Sequence, residues 1–361
     1  MAGDTAKQEL FSEVLKTRLI SGSPYLVFID NVNRLNPQCY RERGLEVSTS
    51  NLCSEITLYT DDDHTFVCVL SSLNLARYDE WADWRGSSGL TVPELSTYFL
   101  DAVVEDFIHK ASRITSMGRA VRFAQKSRAL GLGTMGLHLL YQKRGLPFAS
   151  SEARKLNLEV HDFIHRNAVK ASEALAKEYG EPEWCAGSGR RNSHLLAVAP
   201  TRTNAVISGA FSQGVEPIDA NYFVAKQAKG TFIRKNPELE RVLCDKGVGL
   251  EVWDSILDAK GSVQHLDCLT DTEKEVFKTA REIDQFEIVR QAADRTPFIC
   301  QAQSINLFVD PEIHAEELVR LHLSAWRNGV KSLYYLRSTS LVAKKKARAK
   351  IITKAECPWC V

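Results

Sequence analysis

Ser50–Leu58, SNLCSEITL, sets Asn51, Cys53 and Glu55 at every second position. Read as a strand, that spacing points an amide, a thiol and a carboxylate to one face. The plain structural reading is a half-buried strand with Leu52 and Ile56 turned to the core. The chemical reading is an edge that offers a hydrogen-bonding group, a sulfur and a base together. On these nine residues alone the plain reading is favoured.

Outward from this stretch, helical and strand patterns alternate, which predicts an α/β architecture. Leu10, Phe11, Val14 and Leu15 recur at helical spacing after Asp4 or Thr5 as a cap. YLVFID, Tyr25–Asp30, reads as a compact buried strand. A helix is expected from Pro93, with Leu95, Phe99, Val103, Phe107 and Ala111 forming its apolar stripe. Residues 151–179 predict a long helix stopped at Gly180. LAVAPT and SINLFV read as strands, and Ala315–Asn328 as another helix.

Composition excludes several classes. The 361 residues are 44% hydrophobic and 25% charged with a net charge of +1. That balance gives no reason to expect a nucleic-acid polymer or a membrane as partner. No apolar run reaches the length of a membrane span, and MAGDTAKQEL lacks the apolar core of a signal peptide. Nine scattered cysteines read as reduced thiols in a cytoplasm, any disulfide being catalytic or transient.

Four further segments carry possible chemistry. GLGTMG, Gly131–Gly136, matches G-x-G-x-x-G, but the preceding FAQKSRAL lacks a strand pattern. Glycines for close helix packing are therefore expected, and a nicotinamide-dependent oxidoreductase is a minor alternative. Pro200, Thr201, Arg202, Thr203 and Asn204 precede AVIS and offer either an ordinary helix start or an anion site for phosphate. Tyr334 and Tyr335 in SLYYLRS would face opposite ways on a strand. After Arg337 the chain turns basic and aperiodic and ends in CPWC, Cys357 and Cys360. This pair suits a redox disulfide better than zinc, since no second cysteine pair accompanies it; no metal site is expected.

In this order along the chain, SNLCSEI, CVLSSLNL with Cys68, APTRTN…GVEP, QAQSINLF, LYYLR and the terminal cysteine pair resemble the large catalytic subunit of class I ribonucleotide reductase. The resemblance runs over residues 8–361 and covers only the C-terminal part of that subunit. It implies the second half of a ten-stranded α/β barrel over residues 1–337, a central finger loop carrying Cys53, and a flexible redox tail over 338–361. It implies Cys53 as the thiyl radical that abstracts the 3′ hydrogen of a ribonucleotide, Glu55 as base at the 3′-hydroxyl, and Asn51 as a ribose ligand. Cys68 matches one of two cysteines that reduce the 2′ position. Pro200, Thr201, Arg202, Thr203 and Asn204 match the substrate phosphate loop, with Arg202 and Asn204 departing from its small or hydroxyl residues. Tyr334 and Tyr335 match the radical relay, and Cys357 and Cys360 the tail pair, more tightly spaced than usual.

The same resemblance implies partners. The second reducing cysteine and the allosteric segments belong to an N-terminal half expected as a separate chain, as from a split phage gene acting in a host cytoplasm. No cofactor is expected on this chain. The radical would come from a small subunit with a di-iron/tyrosyl centre, and electrons from thioredoxin or glutaredoxin, for reduction of ribonucleoside diphosphates. A non-catalytic thiol redox adaptor working only through the terminal cysteines is the other alternative.

Overall fold

The computed structural model describes residues 4–227 and 230–338. Its long helices begin and end where side chains satisfy the free backbone groups. Asp4 accepts from Lys7 N ahead of helix Thr5–Ser21, which Gly22 closes at φ 83°. Thr91 and Glu94 form a capping box on helix Val92–Ala111, with Pro93 in the first turn. Ser150 caps helix Ser151–Tyr179 and Gly180 ends it. Ala315–Arg327 is helical as expected.

The strands are short and pair both in parallel and in antiparallel fashion. β1 (Leu26–Val27), β2 (Leu70–Asn74), β3 (Gly131–Met135), β4 (Tyr222–Gln227), β5 (Gly230–Lys235), β6 (Leu307–Val309), β7 (Ser332–Leu333) and β8 (Leu336–Ser338) follow in chain order. β2 runs parallel to β3, with Leu70 opposite Gly131 and Asn74 opposite Met135. Parallel bridges continue the succession from Leu132 to Leu196 and from Val198 to Gln303. β6 is parallel to β8, while β1 is antiparallel to β7. The long helices pack on one another and on these strands. One large apolar core, from Leu15 to Leu336, lies between them. This is the α/β barrel architecture expected. Parallel strands need crossovers, which the helices supply.

Gly131–Gly136 is a fully buried strand and the start of helix Leu137–Lys143, not a helix-packing motif. A Cβ on Gly133 would sit 2.4 Å from the Ala197 carbonyl oxygen, and one on Gly131 2.3 Å from Leu70 Cδ2. These glycines let neighbouring strands approach, and leave no room for a dinucleotide on that edge. The polar run before them is helix Gly118–Ser127.

Three other expectations change. Tyr25–Asp30 is a strand only at Leu26–Val27, because Ile29 opens helix Ile29–Arg34. On helix Val92–Ala111 the stripe is rotated: Phe99 is 65% exposed, whereas Leu100, Asp101 and Val104 are buried. The cause is an ionic cluster. Asp101 accepts from Arg128 at 2.9 Å, Arg191 at 3.1 Å and Asn192 at 2.8 Å, so a charged residue is drawn to the inner face. On helix Thr5–Ser21 the outer Leu10 is exposed and the buried positions are Leu15 and Arg18.

The antiparallel β4–β5 hairpin introduces a smaller unit. Helices Pro237–Asp245, Val252–Asp258 and Asp271–Val276 enclose its own core of Tyr222, Leu239, Trp253, Ile256 and Phe277. Nothing in the sequence patterns set this unit apart.

Candidate active site

Ser50–Leu58 is a tight turn rather than a strand. Ser54 sits at φ 63° and its N–H bonds the Asn51 carbonyl at 3.1 Å. The Asn51 Oδ1 accepts from Ile56 N at 3.2 Å, and Ser50 Oγ donates to the Ile56 carbonyl at 2.7 Å. The turn leaves Leu52 84% exposed at its tip and buries Ile56 and Glu55. It is anchored to the next barrel segment, where Ala302 N donates to the Glu55 carbonyl and Gln301 Oε1 accepts from Thr57 N. The three groups converge by turning, not by alternating.

Glu55 is almost completely buried, and Ser304 Oγ lies 3.1 Å from its Oε2 and 2.6 Å from the Cys53 carbonyl. Burial raises the Glu55 carboxyl above its ordinary range, against lowering by Asn51 and Ser304. The half-buried Cys53 Sγ accepts from the Tyr334 hydroxyl at 3.9 Å. Desolvation, then the Glu55 charge, pushes its thiol up. Cys68 keeps an exposed face, yet crowding by protein, with the Glu55 and Cys53 charges, raises its thiol to about 11. Both thiols thus favour their protonated form, the form in which a thiol can give up a hydrogen atom.

Beside this turn opens a cleft of about 460 Å³ lined by Pro200, Arg202, Glu216, Asn306, the two tyrosines and Arg337 among others. Glu216 Oε1 accepts from both the backbone and side-chain amides of Asn306, at 2.7 and 2.9 Å. Thr201, in the left-handed region at φ 44°, sends its hydroxyl to the Gln213 carbonyl and does not cap helix Arg202–Ile207. Arg202 lines the cleft, while Thr203 and Asn204 are exposed and do not line it.

Tyr334 and Tyr335 occupy the gap between β7 and β8, so they do not face opposite ways on a strand. Their rings lie 4.4 Å apart between centroids at 63°. Tyr25 joins them, its centroid 4.3 Å from Tyr334 and 4.9 Å from Tyr335. The Arg337 guanidinium stacks 4.3 Å over Tyr335. Behind the cluster the fully buried Arg18 donates to the carbonyls of Pro24 and Tyr334 and to His322 Nε2. With no carboxylate partner among the described residues, burial lowers its guanidinium to about 10.

Asn51, Cys53, Glu55, Cys68, Tyr334 and Tyr335 are thus gathered, with Pro200 and Arg202 on the adjoining cleft. Cys357 and Cys360 lie outside the described residues. Sequence reasoning missed Tyr25, Ser304, Glu216 and Arg18. Three of these stood in segments already singled out, Tyr25 in YLVFID, Ser304 in QAQSINLF and Glu216 in GVEP, and the first two were hidden among strand-forming residues. Among the described residues no helix is long and apolar enough to cross a membrane.

Comparison with known proteins agrees with this fold. The family model described as ribonucleotide reductase, barrel domain, matches residues 3–188 and 183–336. The chain is 43% identical over 340 residues to a Frog virus 3 (isolate Goorha) protein named for the ribonucleoside-diphosphate reductase large subunit, covering 94% of this chain and 59% of that one. The large subunit of Invertebrate iridescent virus 3 is 37% identical over 361 residues, covering 98% and 56%. The solved alpha subunit of Actinobacillus ureae class Id ribonucleotide reductase superposes with a TM-score of 0.88 at 44% identity, covering 94% of this chain and 62% of that one. The chain spans somewhat more than half the length of these relatives, and it belongs to the ribonucleotide reductase barrel-domain family.

Proposed function

We propose that this chain supplies the reaction site of a ribonucleoside-diphosphate reductase, working through a thiyl radical on Cys53. The observation that carries the reading is the 3.9 Å approach of the Tyr334 hydroxyl to Cys53 Sγ beside the buried Glu55. A Tyr334 phenoxyl would take the hydrogen atom from Cys53, breaking S–H and forming O–H. The resulting thiyl would remove the 3′ hydrogen of a ribonucleotide in the adjoining cleft. Glu55 would take the 3′-hydroxyl proton and the 2′-hydroxyl would leave as water. Cys68 and a second thiol would supply two electrons and two protons and become a disulfide, and Cys53 would return its hydrogen to C3′. Hydrogen abstraction requires near contact and a base within about 2.6–3.2 Å of its proton, and a tight turn can meet both at once.

The reading needs components beyond these residues. The second thiol would come from an N-terminal part of the subunit, supplied as a partner polypeptide. The radical would come from a di-iron/tyrosyl small subunit, and thioredoxin or glutaredoxin would recharge Cys357 and Cys360, in a host cytoplasm. Pro200 and Arg202 would face the diphosphate, with Thr201, Thr203 and Asn204 shaping the loop. Mixing this chain with such a partner and a radical-bearing subunit should yield deoxyribonucleotide from a ribonucleoside diphosphate. Turnover by this chain without an N-terminal partner would refute the division of labour. No turnover in the full mixture would refute the reading.

A further inference from the structure

The relay in the proposed function uses two tyrosines, but the structure clusters three. We propose that Tyr25 is a positioning residue for this pair, holding the Tyr334 phenol aimed at Cys53 and directing the hydroxyl protons between Tyr334 and Tyr335. The inference rests on the relay reading above.

Tyr25 comes from the loop between helix Thr5–Ser21 and helix Ile29–Arg34, far in sequence from the pair. Its ring meets Tyr334 at 43° and Tyr335 at 80°, so it wedges against both rather than stacking on one. Arg18 holds the two backbones together, one guanidinium binding the Pro24 carbonyl next to Tyr25 and the carbonyl of Tyr334. β1 follows Tyr25 directly and pairs with β7, which leads directly into Tyr334. The third ring is thereby kept in register by a cation and by a strand pair.

The consequence for the pair is asymmetric. Interaction with the Tyr25 hydroxyl helps hold Tyr334 up, after desolvation as the larger cause, and is the first cause that lowers Tyr335. Tyr25 itself is raised, by burial first and then by Tyr335. Tyr334 thus keeps its proton, as the donor to Cys53 must, while Tyr335 gives its proton up more easily. When a hydrogen atom passes from Tyr334 to a Tyr335 phenoxyl, one O–H breaks and the other forms. A third phenol packed against both rings biases where that proton rests.

The test is Tyr25→Phe in the full chain, with 3-fluorotyrosine placed at 334 or at 335 and its ionisation followed by fluorine NMR. Phenylalanine keeps the ring in this half-buried site and removes only the hydroxyl. The Tyr335 midpoint should move up and the Tyr334 midpoint down. Turnover of the assembled enzyme should fall by roughly 10- to 100-fold, the scale of a misdirected reacting group, with KM for the nucleotide unchanged. Parallel shifts, or none, with normal turnover would overturn the inference. If Tyr25→Phe failed to fold, 2,3-difluorotyrosine at position 25, which keeps shape and hydroxyl but acidifies it, should still displace the two midpoints in opposite senses, and unmoved midpoints would overturn it. Opposed shifts together with full turnover of Tyr334→Phe would instead count against the relay and leave Tyr25's positioning role standing.

Discussion

Ser304 Oγ stands 2.6 Å from the Cys53 carbonyl and 3.1 Å from Glu55 Oε2. A hydroxyl has one hydrogen to donate. Shared between two acceptors, that hydrogen lowers the Glu55 carboxyl only in part, and burial, the first cause, keeps it raised. One serine thus ties the backbone of the proposed radical site to the protonation of the proposed base.

The acid limb of the pH–rate profile should therefore lie above the ordinary carboxylate value of 4.5. The base must be ionised, so turnover should rise with pH through the Glu55 midpoint. Glu55→Gln should abolish the limb along with turnover. Ser304→Ala should move the limb and cost about 1–3 kcal/mol of stability by stripping a partner from a buried carboxyl. A limb that stays in place in Ser304→Ala would show the two groups to be uncoupled.

Cys53→Ser should stop turnover with every reductant, since a serine O–H bond is too strong for a phenoxyl to break. Cys68→Ser should instead let the 3′ hydrogen exchange while blocking deoxyribonucleotide formation. Tritium release from a 3′-labelled substrate separates the two variants. Release by Cys53→Ser at the normal rate would remove Cys53 from its role.

Tyr334→Phe and Tyr335→Phe should each abolish turnover and leave nucleotide binding and thermal stability nearly unchanged. The ring contacts survive in phenylalanine and only the hydroxyls go. Unfolding of both variants would reduce the pair to a packing role.

For the terminal pair, Cys357→Ser and Cys360→Ser should each abolish turnover driven by thioredoxin or glutaredoxin while sparing turnover driven by a small dithiol. About 20 extended residues reach on the order of 66–72 Å, enough to carry a thiol from Arg337 to a separate reductase. Normal thioredoxin-driven rates in the double variant would dismiss the shuttle.

The chain should lose stability in acid well before its carboxylates titrate. His138, His161 and His194 are lowered by burial to about 3, and His322 to about 4, from 6.5. Folded, they stay neutral, while the unfolded chain takes up protons near 6.5, so stability present above 6.5 is lost as pH falls toward those values. Four such groups give a slope of up to about 5 kcal/mol per pH unit. Denaturant midpoints measured between pH 7 and 5 would check it; a flat response would show the imidazoles already charged in the fold. Asp101→Ala, which strips a buried carboxylate from the buried Arg128 and the half-buried Arg191 and leaves them Glu105 alone, should cost up to about 3–5 kcal/mol at any of these pH values.

Much was determined by the sequence itself. Caps such as Asp4, Thr91 with Glu94, Ser150 and Gly180 set the long helices, because a helix end is satisfied by residues within a few positions of it. The order of SNLCSEI, Cys68, the Pro200–Asn204 loop and Tyr334–Tyr335 carried the family for the same reason: each motif is a local chemical unit. What the sequence could not determine depends on residues far apart. Asn51, Cys53 and Glu55 look like a strand because period two is a local pattern, yet Ile56, Gln301 and Ala302 fold them into a turn. GLGTMG looks like a helix contact or a nucleotide loop until Ala197 and Leu70 close on its glycines. Asp101 turns inward only because Arg128 and Arg191 await it. Tyr25 sits unremarked in YLVFID, and only the pairing of β1 with β7 and the reach of Arg18 bring it to Tyr334, 309 positions on. Long-range pairing and buried charge decide such contacts, and neither leaves a period in the sequence.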